Sequence, residues 1–162
     1  MTDLVRHLSV YADYHRDERN IATHMLGIPL IVLAIAILAS RPAIAVGGGM
    51  SLTPAMLLSA AVAVFYLRLD LRFGLVMTIL LALSCWVGVA VAGLSTGAWL
   101  GIGIGAFVVG WAFQFVGHYF ERRKPAFVDD LSGLIVGPLF VVAEIAFLLG
   151  LRLEVKRSMT PR

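Results

Sequence analysis

Five long apolar runs dominate this chain and leave few architectures open. They cover roughly Thr23–Ser40, Pro54–Leu67, Phe73–Leu94, Ala98–Tyr119 and Leu134–Leu151. With 60% hydrophobic and only 14% charged residues in 162, the chain holds more apolar material than a soluble core of this length needs. The runs are too long and too uniformly apolar for β-barrel strands. The expected fold is all-α, a polytopic membrane bundle of about five apolar helices. Residues 1–22 form an interfacial arm, 23–151 the bundle and 152–162 a basic tail, all in one membrane domain. The first, second and last runs are short for a hydrocarbon core that needs about 20 residues. The last also contains Pro138 after Gly133 and Gly137, so it is expected to be broken or re-entrant.

The N-terminal "MTDLVRHLSVYADYHRDERN" has no apolar segment of its own and alternates in charge, unlike a signal peptide. If the chain zigzags, Arg6, Arg16, Arg19, Arg68, Arg72, Arg122, Arg123 and Lys124 fall on one side, and the opposite turns hold Arg41. The positive-inside tendency makes the first side cytoplasmic. The tail cations Arg152, Lys156, Arg157 and Arg162 fit that pattern if the last helix turns back. Basic loops account for the net charge of +3 without a nucleic-acid partner. The alanine- and arginine-rich composition suggests a bacterial inner membrane. Cys85 is the single cysteine and cannot form an internal disulfide.

Several motifs read as structural. "GIGIGA" lacks the spacing and the preceding strand of a dinucleotide fingerprint. Gly97, Gly101 and Gly105 instead make a small-residue stripe for close helix approach, and a homo-oligomer is left open. Gly47–Gly49 reads as a turn. "LRLDLR" reads as a charged connection between two helices.

The polar residues that remain are concentrated at helix ends. In "FQFVGHYFERRKPA", Gln114, His118 and Glu121 share one helix face at i, i+4 and i+7. His15 and His24, nine apart, would sit on opposite faces of one continuous helix, about 13 Å apart in height. A break at "RDERN", with Asn20 as N-cap, lets the arm fold back and bring them together. Histidines and a carboxylate converging at one interface suit iron or zinc. Glu121 is either a ligand or the group that orients His118. Glu144, deep in an apolar run, needs a partner, with a histidine, Arg68 or Arg72 as candidates. His7, on the arm, reads as structural.

The block "GWAFQFVGHYFERRKPA", with Tyr14–His15, Asn20, His24, Pro29, "PAFVDDL", "GPLF" and Glu144, resembles the Mpo-type membrane 2-hydroxy fatty acid dioxygenases of fungi and their bacterial relatives. The resemblance implies an iron(II) enzyme that uses dioxygen to shorten a 2-hydroxy fatty acid by one carbon. Its histidines map onto His15, His24 and His118, which become the metal ligands and, with Glu121, the catalytic set. Asn20, Glu121 and Glu144 become supporting residues. Three protein ligands leave three octahedral positions, enough for a hydroxyl–carboxylate chelate and dioxygen. Cleavage to the shorter acid, carbon dioxide and water removes four electrons, which one dioxygen accepts. Arg122, Arg123 and Lys124 are placed to hold the substrate carboxylate, and Gln114 to orient the ligand. A zinc hydrolase with Glu121 as general base and a non-catalytic lipid-binding scaffold are the rival readings.

Overall fold

The computed structural model describes residues 2–47, 50–125 and 128–159. Gly48 and Gly49 of the expected glycine turn, Ala126 and Phe127 of the family block, and Arg162 of the tail lie outside them. Seven helices are described: α1 (Asp3–Asp13), α2 (Glu18–Leu38), α3 (Pro54–Leu69), α4 (Leu71–Ala92), α5 (Thr96–Glu121), α6 (Gly133–Leu148) and α7 (Leu153–Ser158). A small antiparallel hairpin of β1 (Ile44–Gly47) and β2 (Met50–Leu52) precedes α3, with Ile44 opposite Leu52. α2, α4 and α5 are long and apolar enough to cross a membrane; α3 and α6 are apolar but shorter. Their outward faces stay apolar and uncovered, Trp86 being 71% exposed, as expected of helices solvated by lipid.

The chain divides into two compact units, one of residues up to Ile28 together with those from Ala112 onward, the other of Pro29–Trp111. In the second, α3 and α4 form a helical hairpin turned by Asp70 alone. Its backbone is extended and its carboxylate caps α4 by accepting from the Phe73 N–H at 2.9 Å. The charged connection expected there is thus one residue long. Trp99 donates its indole N–H to the Ile37 carbonyl at 2.9 Å, and Arg41 covers its ring. The glycine stripe differs from expectation. Gly103 is the residue pressed against Leu38 and Ile37, whereas Gly97, Gly101 and Gly105 meet nothing within 4 Å. The reason is the 100° helical step, which turns those three away from α2 while Gly103 faces it.

In the first unit, α1 lays the stripe Leu4, Leu8 and Tyr11 on α6. The arm is thus a capped helix, with Thr2 accepting from the Val5 N–H at 3.4 Å. α2 starts at Glu18, earlier than the expected Thr23, and Asn20 is not its cap. Asp17 caps it, accepting from the Arg19 N–H at 2.9 Å as an N-cap aspartate does. The last apolar run is also unbroken. α6 continues through Pro138, its sixth residue, as α2 continues through Pro29: a helix packed in a membrane bundle tolerates the one lost N–H bond. It ends where Gly150 takes φ +74, with the Leu151 N–H bonded to the Ala146 carbonyl at 2.8 Å, a glycine-terminated Schellman turn. The tail then forms α7.

Candidate metal centre

Three helix ends deliver three histidines to one point. His15 follows α1 in the short connection to α2, His24 lies in the second turn of α2, and His118 in the last turn of α5. All are buried, at 3%, 1% and 8% exposure. Their ring centroids lie 4.4 Å (15–24), 4.9 Å (24–118) and 5.2 Å (15–118) apart. One ring nitrogen from each falls within 4.8 Å of the others.

The hydrogen bonds fix what those nitrogens present. His15 Nδ1 lies 2.7 Å from the Tyr11 carbonyl, and His24 Nδ1 lies 2.9 Å from the Asn20 carbonyl. A carbonyl only accepts, so each Nδ1 carries the proton and each Nε2 is left a bare lone pair. The two Nε2 atoms face each other at 3.0 Å. Two bare lone pairs at that distance repel unless a cation or a proton lies between them. Burial pushes the His15 imidazole down to about 4, so a proton is disfavoured at neutral pH. His118 adds a buried Nδ1 with no hydrogen-bond partner among the described residues. The trio is rich in lone pairs and poor in protons, which is the donor set of a divalent metal with nitrogen ligands. A metal–nitrogen bond of about 2.1 Å places adjacent nitrogens about 3 Å apart, the spacing that His15 and His24 already have.

The surrounding residues hold these rings still. Tyr11 stacks on His15 at 4.1 Å and 7°, and Phe140 packs on both rings. Gly117 lets α5 meet α2: a β-carbon there would collide with Thr23 and Asn20 and come within 3.1 Å of His24 Nδ1. Gly117→Ala is therefore expected to cost about 1–3 kcal/mol and to weaken metal binding. Thermal melts and metal titration check this, and an unaltered variant would show the crossing to be loose.

Glu121 stands beside the trio. Its carboxylate accepts from the Arg16 N–H at 3.0 Å, the Asp17 N–H at 2.9 Å and Asn20 Nδ2 at 3.0 Å. It ties the end of α5 to the α1–α2 connection and reaches His24 through Asn20. The sequence offered two roles for it, metal ligand or orienter of His118; the hydrogen bonds of its carboxylate run instead to the α1–α2 connection and to Asn20. Asn20, fully buried, links Glu121 to the His24 ring. Gln114 is 6% exposed, and its Nε2 has no partner among the described residues.

The three cations separate. Lys124 pairs with Asp129, and Arg123 donates to the Asp13 carbonyl at 2.7 Å and covers Tyr14. Arg122, at φ 55, turns into a groove of about 550 Å³ that it lines with Arg19, Arg123, Tyr119, Phe120 and His118. Arg19 was missed in the sequence because its neighbours are charged; it pairs with Asp17 and lies over Phe120 at 4.4 Å. Tyr11 was missed too, although its i, i+4 spacing to His15 was visible. His7 lies apart, in a smaller pocket with Arg6 and Asp130. The cation that acts on Glu144 is Lys156 of α7, where a histidine, Arg68 or Arg72 was expected. α7 brings that lysine back because the turn at Gly150 reverses the chain.

A family model described as "2-hydroxy-palmitic acid dioxygenase Mpo1-like" matches residues 1–149. The chain belongs to the Mpo1-like family. The Mpo1-like match runs from α1 through α6, so it contains all three histidines, Glu121 and the groove, and stops short of α7. A curated relative, the "2-hydroxy-palmitic acid dioxygenase MPO1" of Saccharomyces cerevisiae, is 32% identical over 161 residues, covering 98% of this chain and 88% of that protein. No solved structure matches.

Proposed function

We propose that this Mpo1-like protein is an iron(II)-dependent dioxygenase that removes one carbon from a 2-hydroxy fatty acid, with its site at the cytoplasmic interface of a bacterial inner membrane. The observation that carries this is the pair of bare Nε2 atoms held at 3.0 Å beside His118, in a chain whose yeast relative is named a 2-hydroxy-palmitic acid dioxygenase. His15, His24 and His118 would hold the metal. Iron(II), when bound, supplies the centre at which dioxygen is reduced. The overall reaction, 2-hydroxy acid plus dioxygen to shorter acid, carbon dioxide and water, balances in atoms and electrons without a further reductant.

The chain's own residues do the rest. The Tyr11 and Asn20 carbonyls hold the Nδ1 protons, so that His15 and His24 present lone pairs inward. Tyr11 and Phe140 close the His15 side against water. The groove opens on the His118 side, where Arg122 and Arg19 offer guanidinium groups to a carboxylate. The acyl chain then stays with the apolar helices and lipid. The zinc hydrolase reading needs Glu121 free to take a proton from water. Its oxygens are instead engaged by two backbone N–H groups and Asn20.

Anaerobically purified, Fe(II)-loaded protein is expected to consume one dioxygen per 2-hydroxypalmitate and to release pentadecanoate and carbon dioxide. An oxygen electrode and product mass spectrometry check this. No dioxygen uptake with any 2-hydroxy acid would overturn the proposal.

A further inference from the structure

Gln114 holds a buried amide donor with nothing to bond. A side chain 6% exposed whose Nε2 has no partner among the described residues leaves a polar group desolvated without compensation. Leucine or methionine would fill the same helical position without that cost, so the amide points to a group that arrives from outside the chain. Gln114 lies one turn before His118 on the same face of α5, and Arg122, just past the end of the helix, lines the groove beside His118. Read along α5 from its charged end, the order is guanidinium, metal-facing imidazole, amide, then purely apolar helix. A 2-hydroxy fatty acid has the same order: carboxylate, hydroxyl-bearing carbon, then alkyl chain.

We infer that Gln114 is the specificity residue for the 2-hydroxyl group, donating its Nε2–H to that oxygen while the carboxylate lies toward Arg122. This rests on the proposed function and adds to it how the site tells a 2-hydroxy acid from the plain acid. A buried donor left unpaired by the wrong ligand is an effective means of discrimination. A neutral amide makes that contact at any pH, with no charge to bury.

The test is anaerobic binding of 2-hydroxypalmitate and of palmitate to Fe(II)-loaded protein in detergent, for the wild type and Gln114→Met, with thermal midpoints of both. Methionine keeps the side-chain length and removes the donor. The expected result is that the preference for 2-hydroxypalmitate falls about tenfold, the loss of one hydrogen bond, while palmitate affinity and the thermal midpoint hold. An unchanged preference in Gln114→Met overturns this inference and leaves the proposed function standing. A wild type with no preference for the hydroxy acid removes both. A variant that loses stability and binds both acids more weakly marks Gln114 as a packing residue, which also overturns the inference.

Discussion

His118→Ala is expected to abolish stable metal binding while the helices persist. His118 would supply one of the three nitrogen donors, and it arrives on a different element from the other two. Its Nδ1 has no hydrogen-bond partner among the described residues, and truncation gives up the ring's bond to the Arg123 backbone at the end of α5 and otherwise leaves a cavity. Loss of a ligand exceeds the roughly 10–100-fold weakening that loss of a ligand's supporting partner causes. Metal quantification after anaerobic loading and gel filtration reads the occupancy, and far-ultraviolet circular dichroism reads the helices. Full occupancy in the variant would remove His118 from the ligand set. His24→Ala is the companion variant; the Asn20 carbonyl loses the ring Nδ1 but keeps the Thr23 hydroxyl at 2.8 Å.

Glu121→Ala is expected to destabilise the protein by about 2–3 kcal/mol and to weaken metal binding about 10–100-fold. The carboxylate gathers the Arg16 and Asp17 N–H groups and the Asn20 amide, and hydrogen bonds to a charged acceptor are stronger than neutral ones. Its removal frees the connection that carries His15 and releases the amide behind His24. Glu121→Gln keeps one acceptor but turns an NH2 group toward N–H donors, so it should recover part of the stability. Chemical denaturation in mixed micelles separates the two effects, because metal affinity is measured on the folded fraction. A variant with unaltered stability and lost activity would instead make Glu121 a proton-transfer group.

The helical membrane class was legible because it depends on composition and run length. Long apolar runs need only be counted, and their ends coincided with the structure to within a few residues, α2 excepted. That start was misplaced because the sequence reading put the cap at Asn20, whereas Asp17 caps three residues earlier and the Asn20 side chain is engaged with Glu121. Helix continuity through Pro138 was misread for a related reason. A proline costs a helix one N–H bond, and whether the helix breaks there depends on what packs around it; α2 runs through Pro29 in the same way. The three histidines were visible as residues, and their family resemblance named them as a set.

By itself the sequence determined a chain that crosses lipid through apolar helices and carries polar groups at their ends. Those properties follow from the free energy of transferring side chains out of water, which is local to each segment. Only the tertiary structure decided which polar groups meet. The meeting of His15, His24 and His118 depends on the break after α1, the glycine contact at Gly117 and the clamp at Glu121. It also decided that two Nδ1 protons are spent on backbone carbonyls, which leaves the facing nitrogens bare. Long-range packing sets those contacts, and no spacing within one helix encodes them.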